Sequence, residues 1–292
     1  MLTPTLIVLA ALLALAVVSL WFPPLPAGTR RVPAWTITSA AVGIVALIAG
    51  AVTPVGIAIV LLLISLCAAR ERSTSPWLRM PAMAAITLIA LALALHKIPG
   101  FHNPQIARDV AAGAAPVTQY INLDKAIAGI VLIAFYGQPA RTWADWRAVG
   151  GAWPIVVATP VLVLGAALLT GVVAWAPKLP SSTPTFLLSN LLITCVAEEA
   201  FFRALMQRGL QNSLAGTRYG VAVAIGVSSI VFGIAHLGGG VPMILLATLA
   251  GVGYGLALWR SGRIEAAILT HFVVNALRFL LVAGPVVVRS AG

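Results

Sequence analysis

Phe186-Leu-Leu-Ser-Asn190-Leu-Leu-Ile-Thr194-Cys195-Val-Ala-Glu198-Glu199-Ala-Phe-Phe-Arg203 decides how the rest of the chain is read. Two adjacent carboxylates follow about a dozen mostly apolar residues, in a chain with only seven Asp and Glu in all. A charged side chain at mid-membrane depth costs ~3 kcal/mol on insertion scales, so an intramembrane acid is a functional-site candidate by default.

The composition around this stretch is that of a membrane protein. The 292 residues are 61% hydrophobic and 9% charged, with a mean hydropathy of +1.04, whereas soluble domains carry about 25% charged residues. Successive apolar runs at 5–22, 36–52, 54–69, 82–96, 126–137, 154–175, 184–208, 219–237, 241–259 and 264–283 predict an all-α, polytopic transmembrane helix bundle of about 8–10 spans. The fifth run is short, suited to a re-entrant segment or a half-span buried by its neighbours. Pro54 predicts a tight hairpin between the second and third spans, because proline is tolerated in the first turn of a helix. The first run exceeds a signal-peptide core and lacks a basic segment before it, so it reads as an uncleaved span.

The formal charge of +11 is spread between apolar runs. No Lys/Arg cluster interleaved with aromatics occurs, which argues against nucleic-acid binding; anchoring of loops against anionic lipid fits better. With the N-terminus outside and the chain alternating, the inner loops hold Arg30, Arg31, Arg70, Arg72, Arg79, Arg141, Arg147, Arg208, Arg218, Arg260 and Arg263. The outer segments hold Lys97, Arg108, Lys125, Lys178 and Arg289. That asymmetry is the positive-inside pattern. Cys67 and Cys195 fall inside apolar spans and read as buried thiols rather than a disulfide. Arg and Ala far outnumber Lys and Asn, as in GC-rich bacteria, so the expected location is a bacterial inner membrane.

The stretch 97–125 carries the turn signals Pro99-Gly100 and Asn103-Pro104 and reads as an extramembrane cap. His102 and Asp109 within it could be metal ligands, but an ordered cap accounts for them more simply, and His96 beside Lys97 is expected at the interface. A shift in character comes at about residue 180. Apolar runs before it are nearly free of ionisable groups, and three of the four helices after it carry polar residues. We therefore expect an N-terminal scaffold over 1–150 and a C-terminal catalytic bundle over 151–292.

In the seventh span Asn190, Thr194 and Glu198 recur at i, i+4 and i+8 and predict one polar stripe on a helix. Glu199 is turned about 100° away, with Arg203 as its i+4 partner in the favourable order for an ion pair. The two acids are thus expected to differ: Glu199–Arg203 a structural clamp, Glu198 desolvated and available as a general base. The eighth span ends in Phe232-Gly-Ile-Ala-His236, with Phe232 and His236 on one face and Gly233 allowing close helix approach. In the tenth, His271 and Asn275 point the same way, with Arg278 one turn on.

Two mechanisms can use this set. In one, Glu198 activates a water, His236 helps hold it, and His271 with Asn275 hydrogen-bonds the oxyanion. In the other, Glu198, His236 and His271 bind a divalent metal such as zinc, although the HExxH spacing of common zincins is absent. Straight helices would leave His236 near the outer face, so meeting the others requires tilt, or an inward dip at Gly238-Gly239-Gly240.

Glu198-Glu199-x-x-Phe202-Arg203, Phe232-x-x-x-His236 and His271-x-x-x-Asn275, in this order and each in an apolar helix, resemble the CAAX-protease and bacteriocin-processing family of intramembrane endopeptidases. Prokaryotic members were once labelled abortive-infection proteins. The resemblance covers roughly residues 150–285. It implies a helical fold whose cavity holds Glu198, His236, His271 and Asn275, with Glu199 and Arg203 supporting. The family's chemistry has been described both as metal-dependent and as glutamate-driven, and the same two routes stay open here. In its eukaryotic branch the substrate is a prenylated C-terminal tripeptide, to which no residue here points. The implied partners are membrane lipid and a membrane-associated protein or peptide. The competing function is an ion-coupled transporter or proton relay using the same Glu and His groups, but the chain has neither an inverted repeat nor paired broken helices.

Overall fold

The structure is a computed structural model and describes residues 3–109 and 117–284. Arg289, and the side chains of Arg108 and Asp109, lie outside what is described. Thirteen α-helices follow one another among the described residues, and strands are confined to pieces of two to five residues. Among the described residues seven helices are long and apolar enough to cross a membrane: Pro4–Trp21, Pro54–Arg72, Pro76–Ala94, Trp143–Leu169, Thr183–Ser213, Leu237–Ser261 and Ile264–Leu281. Two shorter apolar helices, Ala34–Ile48 and Gly220–Ile234, accompany them. The protein is an integral, multi-pass, all-α membrane protein. Its outward side chains agree with that: Trp77 is 88% exposed and Leu169 92%. Leaving such side chains in water forgoes ~1.5–3 kcal/mol each, a loss that lipid removes.

The chain forms two compact units. The first comprises Met1–Ala107, Thr118–Arg141 and Leu192–Leu205; the second comprises Arg108–Val117, Thr142–Leu191 and Met206–Gly292.

In the first unit α1 (Pro4–Val18) and α2 (Ala34–Ile48) form a hairpin, joined by a short antiparallel pair in which Leu25 faces Val32. Ser19 Oγ and Thr38 Oγ1, 2.9 Å apart, bind one helix to the other. α3 (Pro54–Arg72) starts on Pro54 and packs on α4 (Pro76–Ala94). After them comes α5 (Leu123–Leu132), with a π-helical extension to Gly137. At ~1.5 Å per residue it is too short for a ~30 Å hydrocarbon core. It packs against α1, α3 and α4, and every residue in it except Lys125 is buried. The short fifth apolar run is thus an enclosed helix.

The second unit begins with α6 (Trp143–Gly150), whose start is closed by a capping box between Thr142 and Asp145. α7 (Trp153–Leu169) follows after a break at 151–152. The expected span 154–175 therefore runs earlier than predicted, and its last residues leave the helix. Ala174 and Trp175 pair as a strand with Ala283 and Val282, because Gly171 turns the chain at a positive φ of 69°. The helical stretch 183–213 contains α8 (Thr183–Ser189), α9 (Val196–Glu199) and α10 (Arg208–Ser213). Its middle, 192–205, belongs to the first unit and its ends to the second. α11 (Gly220–Ile234), α12 (Gly240–Ser261) and α13 (Ile264–Leu281) complete the unit, with α12 packed on α7, α11 and α13. Small residues permit this. A Cβ on Gly233 would stand 2.7 Å from the Ile244 carbonyl oxygen, and one on Gly253 2.3 Å from Thr159 Oγ1. Close approach of this kind is how membrane helices associate where no hydrophobic effect drives them together.

Candidate active site

In the first unit, Glu198 and Glu199 end α9, a single α-helical turn between two π-helical stretches, Asn190–Cys195 and Ala200–Gln207. The regular helix predicted through this segment is therefore widened on both sides of the acid pair. The strict i, i+4, i+8 stripe of Asn190, Thr194 and Glu198 does not hold at 3.6 residues per turn. Nothing in the residue types signals the change, yet π stretches recur at functional sites.

The two acids meet different partners. Glu199 accepts a hydrogen bond from Arg203 Nε at 3.1 Å, and both side chains are 0% exposed. Glu198 is partly exposed and its Oε1 accepts from Lys125 Nζ at 2.6 Å. Sequence reasoning missed Lys125, which it placed among the outer anchoring charges. The one available signal was a lysine standing at the head of an otherwise apolar run.

Lys125 is held by its neighbours. Asp124, 1% exposed, accepts from His96 Nδ1 at 2.8 Å, from Asn103 Nδ2 at 3.0 Å and from the Lys125 backbone N–H at 2.8 Å. Asn103 Oδ1 in turn accepts from the Leu123 N–H at 2.8 Å. His96, expected only at an interface, is thus part of a network that fixes the start of α5. The reading of His102 and Asp109 as metal ligands gains nothing: His102 is exposed, and the Asp109 side chain is outside the described residues.

In the second unit, His236, His271 and Asn275 line one cavity of about 330 Å³. It is walled mainly by apolar side chains of α7, α12 and α13, and Arg278 stands among its lining residues. His271 is 2% exposed. The Tyr254 ring stacks on its imidazole at 4.5 Å, and the Phe232 ring meets it edge-on at 5.6 Å. Phe232 also touches the His236 ring, centroids 4.7 Å apart, so one aromatic side chain separates and seats both imidazoles. Tyr254 was missed as well. Its only signal was an aromatic alone among small residues, Gly251-Val-Gly253-Tyr254-Gly255.

His236 lies beyond the end of α11, followed by a 3₁₀ turn at Leu237–Gly239. Its ring folds back so that Nδ1 is 2.8 Å from the Phe232 carbonyl oxygen. A carbonyl only accepts, so Nδ1 carries the hydrogen, and in the neutral ring Nε2 is the acceptor. That tautomer would also suit a metal ligand. Among the described residues, however, no group of three or more His, Cys, Asp or Glu is placed to hold a metal ion.

Outside the helices, Lys178 donates to the Val282 carbonyl. Its ammonium sits below the usual lysine range, from burial first and the Arg278 charge second.

Residues 180–277, about a third of the chain, match the family model described as Type II CAAX prenyl endopeptidase Rce1-like. No curated protein and no solved structure matches the chain. The matched stretch contains the acid pair, both histidines of the cavity and Asn275. Over this third of the chain the match supports a likeness to the CAAX-protease and bacteriocin-processing family of intramembrane endopeptidases.

Proposed function

We propose that Glu198, His236, His271 and Asn275 hydrolyse a peptide bond of a membrane-associated protein or peptide without a metal. The observation that carries this reading is the cavity that gathers His236, His271 and Asn275. Glu198 joins them on the strength of the family match, which spans all four.

The Glu198 carboxylate takes a proton from water, and the hydroxide so formed attacks the scissile carbonyl carbon. His236 Nε2, an acceptor by virtue of the Nδ1 bond to Phe232, holds the water through its second hydrogen. An imidazole N–H of His271 and the amide of Asn275 donate to the oxyanion, an interaction strongest in the transition state. Glu198 then returns its proton to the leaving amine as the C–N bond breaks. Glu199 and Arg203 neutralise each other and support the helix that carries the base. A largely apolar cavity in the ~300–1,000 Å³ range of ligand sites favours an apolar peptide segment as substrate. Ion transport by the same groups is not favoured, since the match is to an endopeptidase. The Arg- and Ala-rich composition supports a bacterial inner membrane as the location.

The test is cleavage of a membrane-embedded reporter peptide by purified protein in lipid. Glu198→Gln and His236→Ala are expected to lose at least 100-fold in kcat, in line with ~10²–10⁴ for a general acid–base group. Wild-type turnover in either variant would remove the proposal. Activity is expected to survive a strong chelator. Loss that added zinc restores would replace the glutamate route by the metal one.

A further inference from the structure

We propose that Lys125 is a positioning residue for Glu198, supplying the counter-charge and the fixed contact that hold the carboxylate in its working orientation. This rests on the role proposed above for Glu198.

Three observations converge on it. The Lys125 ammonium lies 2.6 Å from Glu198 Oε1, with the side chains 15% and 18% exposed, so the pair is mostly removed from solvent. A carboxylate in such surroundings needs a partner, and it has acceptor sites enough to take an ammonium and a water together.

The approach of the two helices is built in. α5 and α9 pack on each other, and a Cβ on Gly129 would come within 2.7 Å of Ala197 Cα. Gly129 is one turn beyond Lys125, and Ala197 precedes Glu198. The contact that only glycine permits is therefore the one that brings ammonium and carboxylate to hydrogen-bond range.

The lysine is also anchored from behind. Asp124 is locked by His96, Asn103 and the Lys125 N–H, which fixes the backbone from which the lysine projects. α5 is too short to span a bilayer and buries every residue but this one. An enclosed helix of that kind needs a purpose other than crossing the membrane, and presenting Lys125 supplies it. In the reaction the lysine takes no part in proton transfer: the proton moves from water to Glu198 and on to the leaving amine.

Lys125→Met keeps the length and apolar stem and removes the charge, whereas Lys125→Arg keeps the charge and alters the shape. Reporter cleavage and melting in detergent are measured for both, beside Glu198→Gln. A positioning charge predicts at least a tenfold loss of kcat in Lys125→Met with KM within twofold, and no more than a threefold loss in Lys125→Arg. Lys125→Met with wild-type kcat, or Lys125→Arg as impaired as Lys125→Met, would overturn the proposal. If Lys125→Met does not accumulate, Lys125→Cys is aminoethylated to restore an ammonium. Regained kcat supports the role and no regain overturns it. Glu198→Gln separates the two claims. If it is inactive while Lys125→Met turns over normally, only the lysine's role falls; if it cleaves like wild type, the function assigned to Glu198 falls first.

Discussion

The Tyr254 ring lies nearly flat against the His271 imidazole, centroids 4.5 Å apart and planes 13° apart. Phe232 closes a second side of that imidazole edge-on, so a side chain with two torsions is held by two aromatic walls. Buried aromatic contacts of this kind contribute ~0.5–1.5 kcal/mol beyond their area. Under the proposed function the consequence is orientation: a histidine that donates to an oxyanion must point before the charge develops.

Tyr254→Leu is therefore expected to lower kcat by about three- to tenfold with KM little changed, the signature of an interaction made in the transition state. Tyr254→Phe keeps the stacked face and should stay within about threefold of wild type. Steady-state cleavage of the reporter peptide measures both. A Leu variant with undiminished kcat would mean that the stack seats nothing of catalytic use.

The clamp between Glu199 and Arg203 calls for a different readout. Both side chains are fully buried, and removing one member of a buried pair leaves its partner's charge poorly compensated, at ~3–5 kcal/mol. Glu199→Ala should mainly reduce the amount of folded protein in the membrane fraction and lower its melting temperature. Replacing both residues by Met should recover much of that loss, since no buried charge then remains. Normal abundance with no activity in Glu199→Ala would exchange the roles of the two acids.

Local periodicity made part of this architecture legible and long-range pairing hid the rest. Glu199 and Arg203 are four residues apart, so helical geometry alone predicts that they meet. Phe232 touches His236 by the same rule, His271 and Asn275 line one cavity, and Pro54 begins its helix where proline is tolerated. Glu198 and Lys125 are 73 residues apart, and no pattern within either segment points to the other. The π-helical widening around the acids left no mark on residue type either, because it depends on what the helix packs against. The turn of Val172–Trp175 away from α7 was masked by apolar residues that suit a strand as well as a membrane helix.

The packing of α7 on α12 offers a test that requires no substrate. A Cβ on Gly253 would lie 2.3 Å from Thr159 Oγ1 and 2.4 Å from its Cγ2. Thr159 has little room to yield, because its hydroxyl donates to the Ile155 carbonyl at 2.7 Å and the residue is 5% exposed. Gly253→Ala should thus behave as overpacking and cost ~1–3 kcal/mol. Thr159→Ala removes the two nearest atoms, leaving a Cβ at 2.9 Å, so the double variant should melt higher than Gly253→Ala alone. A coupling of ~0.5–3 kcal/mol is the range for residues in contact. Because Gly253 precedes Tyr254, and α7 gives Val163 and Leu164 to the cavity wall, the same pair should show partial recovery of kcat. Strictly additive melting shifts would mean that α7 and α12 are not in contact at this point, and the cavity wall would have to be redrawn.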